Sequence, residues 1–478
     1  MNQILDKIKN IKLEKEVMAA LALVALFSVF LLVNFNWGFN LFLYVIIALA
    51  GLIIPIIYPR SGLYASLALT LIWTKFFTLQ SLWFNDTEYK FYLLDILLVA
   101  TLLGLGLRLL SRQVKLKIKL ADILLLIFII LTAVYFLVSW FYLDGNFLTA
   151  FSSFKNYAFY PLLYFAVCLL IDNRQHLKKL LGFVLLGGFI IIGFIIYGVI
   201  VGQGLWTEIT PLSTIGSRLL DFDHAFYLCL ISLLGLGYLA WKKDWLNKIW
   251  YWLLPIFALG IAGSLMRHLW LALLITLLFF LWFLPAEQRR RCWQILSKYL
   301  AGAIMALVLL IMLVNFLPVN NFSQSVLIAK DQLITRALSL SNQEDSSLAW
   351  RGAVWQSVWQ DYKEQIVAGL GFGQKVFIDM GGYRDYVEVR NIHNSWLAVF
   401  VQMGLIGFIW LLWFFFNVLK NVFKLKNLPA DLALARLTVL SIGIFCLIAF
   451  AFQPYLEANF FNIWFWLNLG LGRKLYAL

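Results

Sequence analysis

Apolar runs of about 17 to 25 residues, the length that carries a helix across a bilayer, recur from Val17 to Leu471 with polar links between them. Only a helix or a closed barrel pairs all its backbone groups internally, so runs of this length predict membrane-spanning helices. The pattern predicts about 14 of them, or 12 to 13 where neighbouring runs fuse or lie in the interface. The fold class expected is an all-α polytopic membrane protein. Its boundaries follow the polar breaks: an N-terminal segment at 1–16, a first bundle at 17–317, a long polar loop at 318–392, further spans at 393–471 and a tail at 472–478. The opening MNQILDKIKNIKLEKE is charged for too long to be a cleavable signal peptide, and the first apolar run lacks a small-residue cleavage site.

The 318–392 loop exceeds the roughly 12 to 15 residues beyond which a loop is usually functional or disordered. Its composition predicts order, with helix-like LIAKDQLITRALSL and WRGAVWQSVWQDYKEQI. In the second, Trp355, Trp359, Tyr362 and Ile366 recur at helical spacing, with Gln356, Gln360 and Lys363 off the stripe. Such a stripe suits a helix lying at headgroup level. It equally suits a helix packed on top of the bundle.

Composition agrees with the pattern: 63% of the 478 residues are hydrophobic and 13% charged, against about 25% charged in soluble domains. Four cysteines, Cys168, Cys229, Cys292 and Cys446, share no motif spacing, which argues against a disulfide framework or zinc site. The net charge of +14 raises the question of nucleic acid, and its placement answers it. Taking the spans alternately, 26 of the 38 basic residues fall on one side and 11 on the other, seven of those in the long loop. By the positive-inside rule both termini are then cytoplasmic. The excess is a topology signal, with anionic lipid as its natural partner and no nucleic acid implied.

The polar residues set against the apolar runs are the candidates for chemistry. His393 and Asn394 stand at the mouth of the apolar stretch NIHNSWLAVFVQMGLIG, directly after the long loop. Eleven residues separate His393 from Gly404, about three turns, so a continuous helix puts both on one face, and Gly407 with them. Two glycines there predict close approach of a neighbouring helix. Arg267 and His268 lie in IAGSLMRHLWLALL, at the middle of the 34-residue apolar stretch Tyr251 to Leu284. Two spans would place both at an outer turn, where an arginine either pairs and lines a polar cavity or snorkels; His268 could equally cap the helix end. Arg351 opens the Trp-rich helix, and Gly369, Gly371 and Gly373 follow it in AGLGFG, where glycines permit backbone N–H groups to approach an anion. Arg218 precedes Asp221, Asp223 and His224 at the entrance of a span, either as part of the site or as a salt-bridged helix start. Lys75 is an intramembrane base, and Glu457 with Asn459 sits in a short outer turn where it could complete the site or cap helices.

Arginines on the outer face are suited to clamping a diphosphate through bidentate hydrogen bonds, and a histidine titrates where a general base is useful. The reading recognises neither a DxD-type nor an HExxH-type metal motif, and it includes no metal and no cofactor. A diphosphate leaving group with a base implies transfer from a lipid-linked diphosphate onto a hydroxyl. A transporter is the alternative from another class, with Lys75 and Arg267 along a substrate path; the chain lacks the internal repeat that marks many transporters. A purely structural scaffold gives no reason for the His393 group.

These residues resemble the O-antigen ligase and O-antigen polymerase superfamily of bacterial membrane glycosyltransferases. The ligase pattern of His, then Asn, Ser or Gln, nine residues, Gly, two residues, and Gly, Thr or Tyr is matched without gaps by His393, Asn394, Gly404 and Gly407. Arg267 looks like the family's hairpin-turn arginine, although the usual Ser-Arg-Gly reads here as Ser-Leu-Met-Arg-His. Arg351, Trp355, Gly371 and Gly373 look like the family's loop arginine, tryptophan and Gly-x-Gly run, and Arg218 is similar to another arginine-bearing outer segment. The resemblance covers about Arg218 to Gly407. It implies a GT-C-like bundle of about 12 to 14 transmembrane helices with one large helical periplasmic loop, in the bacterial inner membrane. It implies a donor glycan on undecaprenyl diphosphate held by Arg267 and Arg351, with Arg218, Asn394, Gly371 and Gly373 contributing to the donor site. His393 is then the base in a metal-independent inverting displacement. The acceptor is the lipid A core for a ligase, or another lipid-linked repeat unit for a polymerase; the His-Asn pattern favours the ligase.

Overall fold

A computed structural model describes residues 14–73, 82–84, 87–89, 92–115, 117–201, 220, 222–242, 244–316, 346–379, 384–426 and 428–475. Among them eight helices of 18 residues or more are apolar enough to cross a membrane, and two apolar helices, Leu41–Ile57 and Arg267–Phe283, are shorter. The chain is a polytopic, largely α-helical membrane protein. Some apolar runs fold as short pieces rather than single spans. The stretch around Tyr157 is cut into Phe147–Phe154, a π turn at Lys155–Phe159 and Leu162–Leu170. Pro161 falls at that last joint and lacks the N–H a continuous helix would use.

The chain divides into two compact units, residues 1–117 with 165–189 and residues 118–164 with 190–478. The first holds α1 (Lys15–Trp37), α2 (Leu41–Ile57), α3 (Pro59–Ile72) and α4 (Leu93–Leu110), with β1 (Leu82–Phe84) antiparallel to β2 (Thr87–Tyr89). Small residues set the helix approach here. A Cβ on Gly62 would lie 2.7 Å from the Pro55 ring, and one on Gly104 would lie 2.6 Å from the Ile56 carbonyl. Charges at one end are paired: Arg60 bridges Glu16 at 3.1 Å and Asp172 at 2.8 Å, and Lys179 meets Glu14 at 2.5 Å.

The second unit contains α5 (Leu120–Phe141), α6 (Phe147–Phe154), α7 (Leu162–Leu170) up to Tyr164, and α8 (Arg174–Val201) from Ile190. There follow α9 (Phe222–Trp241), α10 (Leu246–Gly263), α11 (Arg267–Phe283) and α12 (Ala286–Phe316), then α13 (Ser346–Tyr362). A hairpin of β3 (Lys375–Asp379) and β4 (Arg384–Glu388) leads to α14 (Ser395–Lys424), α15 (Ala430–Ala449) and α16 (Asn459–Lys474). Every residue from Asp223 to Gly237 is buried, so α9 is enclosed on all sides, as its uniformly apolar sequence requires. At the start of α5, Asp122 is buried and accepts from Tyr164 at 2.8 Å and from two atoms of Arg473, at 3.2 and 2.9 Å.

Two strand pairs depart from the all-α expectation. Lys-Val-Phe-Ile-Asp alternates with period two, which sends Val376 and Ile378 inward and leaves Phe377 outside beside Tyr386. The inward pair joins Val354, Val358 and Tyr362 of α13, Val389, Ile392, and Ala398 and Val401 of α14 in a separate small core. The stripe α13 buries is thus Val354, Val358 and Tyr362, with Ile366 packed against the same core, so Tyr362 and Ile366 of the expected stripe face this core while Trp355 and Trp359 stay exposed. The segment LIAKDQLITRALSL lies outside the described residues.

One span is broken. Gly404, inside α14, has φ 61° and ψ −169°, a conformation open almost only to glycine. The backbone groups freed there are taken by the glycine run. Leu370 and Gly371 donate to the carbonyls of Val401 and Gln402 at 2.8 and 3.0 Å, while Leu405 donates to Ile366 at 2.9 Å. A Cβ at Gly404 would lie 2.2 Å from the Val367 carbonyl and one at Gly369 2.5 Å from the Gly404 nitrogen. Gly404→Ala should therefore lower unfolding stability by about 3 kcal/mol or more, combining a strained dihedral with a backbone clash. Gly106→Ala, in a helix with nothing within 4 Å of the added methyl, should be neutral or stabilise by up to about 1 kcal/mol. Thermal unfolding of the two variants in detergent checks both; similar melting temperatures would remove the break's special status.

Candidate active site

α14 starts at Ser395 because Asn394 caps it: the Asn394 side chain accepts from the Leu397 N–H at 3.0 Å. His393 precedes the cap in a left-handed conformation, φ 54°. The expectation that His393, Gly404 and Gly407 share one helical face is corrected here. His393 lies before the helix and Gly404 interrupts it, so the three-turn count does not apply. The two glycines also pack differently from a helix-packing pair, Gly404 against the Val367–Ala368 backbone and Gly407 against Met403 of its own helix.

Ser395 clips the start of α14 to the turn between α15 and α16. Its N–H donates to the Phe450 carbonyl at 2.8 Å, its hydroxyl donates to the Gln453 carbonyl at 2.8 Å, and the same oxygen accepts from the Leu456 N–H at 3.0 Å. From the other side, the Trp350 ring meets the His393 imidazole edge-on with centroids 4.9 Å apart, and the Trp355 indole donates to the Ile392 carbonyl at 3.0 Å. His393 is half-buried between α13 and that turn.

Burial holds the His393 ring below the ordinary histidine range, and the Arg351 guanidinium adds to this; a hydrogen bond with the Gln453 side chain acts the other way. Nδ1 is buried without a hydrogen-bond partner among the described residues. The balance favours a neutral imidazole, the form able to accept a proton.

Arg267 and His268 open α11 after the tight turn Ser264–Met266, with Leu265 at φ 57° and the Trp270 indole donating to the Ile261 carbonyl at 2.9 Å. The break between two helices thus falls where the arginine and histidine predict it. His268 Nε2 lies 2.6 Å from the Tyr455 hydroxyl. Tyr455 belongs to the turn that Ser395 holds, so His268 and His393 flank a single segment. Glu457 is buried in that same turn, bonded by Gln402 and Ser153 at 2.8 and 2.9 Å.

Gly371 and Gly373 do dock closely, and onto protein. The Gly371 N–H is occupied by Gln402, the Phe372 N–H donates to the Ser139 hydroxyl at 2.6 Å, and Asn146 donates to the Gly373 carbonyl at 3.2 Å. The run is a strap between α5 and the broken α14. Lys75 and Arg218 lie outside the described residues. Asp223, buried at the head of α9, belongs to Asp221-Phe222-Asp223, so the reading that the chain has no DxD-type spacing is corrected here. Among the described residues, Glu14, Glu16 and His176 come close enough together to hold a metal ion. Their own partners are Lys179, Arg60 and Asp172.

The model of the family described as O-Antigen ligase matches residues 252–412. This stretch is an O-antigen ligase family domain. No curated protein matches the chain. The ligase-family domain takes in Arg267, His268, Arg351, the glycine strap, His393 and Asn394, and leaves Lys75, Arg218 and Glu457 outside. With the polytopic architecture it makes the chain a membrane enzyme of glycan transfer.

Because Arg351 disfavours the imidazolium of His393, Arg351→Ala should raise the pH at which this ring loses its proton. The midpoint can be followed by diethyl pyrocarbonate modification of His393 across pH, read by mass spectrometry. An unmoved midpoint would mean that the two side chains do not share a field.

Proposed function

We propose that the protein transfers a glycan from undecaprenyl diphosphate to an acceptor hydroxyl at the periplasmic face, acting as an O-antigen ligase on the lipid A core. The observation that carries this reading is a half-buried histidine held neutral beside Arg351 at the mouth of a capped helix, inside the ligase-family domain. In the reaction His393 takes the proton of the acceptor hydroxyl. The oxygen attacks the anomeric carbon, the new C–O bond forms as the bond to the diphosphate oxygen breaks, and the electron pair leaves with the diphosphate. Configuration inverts in this single displacement, which calls on no metal. Arg267 and Arg351 meet the charge that develops on the leaving group, the point at which electrostatic stabilisation counts most. The long loop is then periplasmic and both termini cytoplasmic, as the charge asymmetry requires.

Purified protein given the lipid-linked glycan and lipid A core should lose about 10²- to 10⁴-fold in turnover with His393→Ala, while its melting temperature is retained. Undiminished transfer would eliminate this base. Arg267→Ala and Arg351→Ala should each cost about 10²- to 10³-fold, more than Arg218→Ala; equal and negligible losses would refute the clamp. Mass analysis of the product separates the acceptors, since extension of a lipid-linked repeat unit instead of lipid A core would make the enzyme a polymerase. Topology has its own check. Asp385→Cys should react with a membrane-impermeant maleimide in intact spheroplasts and Lys9→Cys only after permeabilisation, the native cysteines being buried. The reverse pattern would invert the orientation.

A further inference from the structure

Glu457 stands where the ligase-family domain has already ended, yet five groups converge on its turn. The Gln402 side chain donates to Oε1 at 2.8 Å, the Ser153 hydroxyl donates to Oε2 at 2.9 Å, and the Asn156 side chain donates to the Glu457 carbonyl at 2.8 Å. These three come from α14, α6 and the π turn, so Glu457, through its carboxyl and its backbone carbonyl, ties three elements to one point. Both remaining contacts lie on the far side of the same turn. Gln453, four residues earlier, accepts through its carbonyl from the hydroxyl of Ser395, two residues after His393, and Tyr455, two residues earlier, reaches His268. Gln402 adds a link to the helix break, since its own carbonyl accepts from Gly371. A buried carboxyl is costly unless its acceptors are filled, and an apolar residue would pack such a turn more cheaply if packing were its whole purpose.

From this convergence we infer that Glu457 is a positioning residue: it fixes the Gln453–Glu457 turn to which Ser395 is clipped, and so keeps His393, two residues before Ser395, in place against that turn. Its importance for catalysis rests on His393 being the base proposed above; the coupling itself does not. The charged and titratable groups facing Glu457 are Arg390, from the segment after β4, and Tyr157 of the π turn. Burial raises the Glu457 carboxyl above the usual range, against the pull of Gln402, Tyr157, Arg390 and Ser153. The charged group facing His393 is Arg351 of α13. Gln453 supports the protonated form of His393, so releasing the turn withdraws that support. The His393 midpoint then moves to lower pH.

The test is the diethyl pyrocarbonate titration of His393 in full-length Glu457→Ala, in Glu457→Gln, and in the exchanged pair Gln402→Glu with Glu457→Gln. The expected result is a downward shift of the His393 midpoint in Glu457→Ala and its restoration in the exchanged pair, which rebuilds the amide–carboxyl contact with its partners swapped. In the transfer assay Glu457→Ala should lose about 10- to 100-fold in kcat with little change in KM for the lipid-linked donor, the signature of a displaced group rather than weakened binding. If Glu457→Ala does not fold, Glu457→Gln and the exchanged pair carry the comparison. A folded variant with an unmoved His393 midpoint overturns the inference even if transfer falls. A moved midpoint with full transfer supports the coupling and counts instead against His393 as base.

Discussion

A backbone carbonyl or N–H without a partner inside apolar surroundings costs several kcal/mol, and the break at Gly404 exposes a full set of them. The structure meets that demand with another stretch of its own chain. Residues 366–371 run alongside the opened turn and exchange hydrogen bonds with residues 401–405 in both directions. Much else follows from this one repair. The strap needs glycines because a Cβ would strike the partner backbone, and it holds the small core of α13 and the β3–β4 hairpin against the first turns of α14. Those turns begin at Asn394, so the position of His393 is set by how the break downstream is healed.

The second anchor is the turn between α15 and α16. Ser395 pins it to α14 by three hydrogen bonds, and Glu457 pins it to α6 and Gln402. The histidine is thus held from two directions, by the aromatic wall of α13 and by a polar turn. Their electrostatic effects differ in sign. Burial and Arg351 push the ring toward neutrality, and Gln453 pulls it back. A base placed this way stays unprotonated near neutral pH without being isolated from hydrogen-bonding groups, a combination that suits proton transfer from a hydroxyl.

Much of this was legible in the residues. Apolar run lengths announced the helical membrane architecture, and the Ser264–His268 stretch announced a helix break. The parts that were not legible share a cause, namely that they depend on which chain segment lies opposite. A single glycine in an apolar run looks the same whether the helix passes through it or breaks there. Gly404 becomes distinctive only beside Val367. The Trp-rich helix turns Val354 and Val358 inward instead of Trp355 and Trp359, with Val376 and Ile378 across from them, and no local rule ranks valine above tryptophan. The alternation in Lys375–Asp379 was visible and was hidden by the expectation of helix on either side. The pairing of His268 with Tyr455 joins residues 187 apart, beyond the reach of any spacing argument.

Asp122 carries a consequence of a different order. Its carboxylate is buried at the head of α5, and its counter-ion, Arg473, follows 351 residues later. Ten further helices among the described residues are made between the two. This contact can therefore form only once α16 has been made. The ion pair thus joins the two sequence ends of the second unit, and a chain that stops short of Arg473 lacks this partner for Asp122.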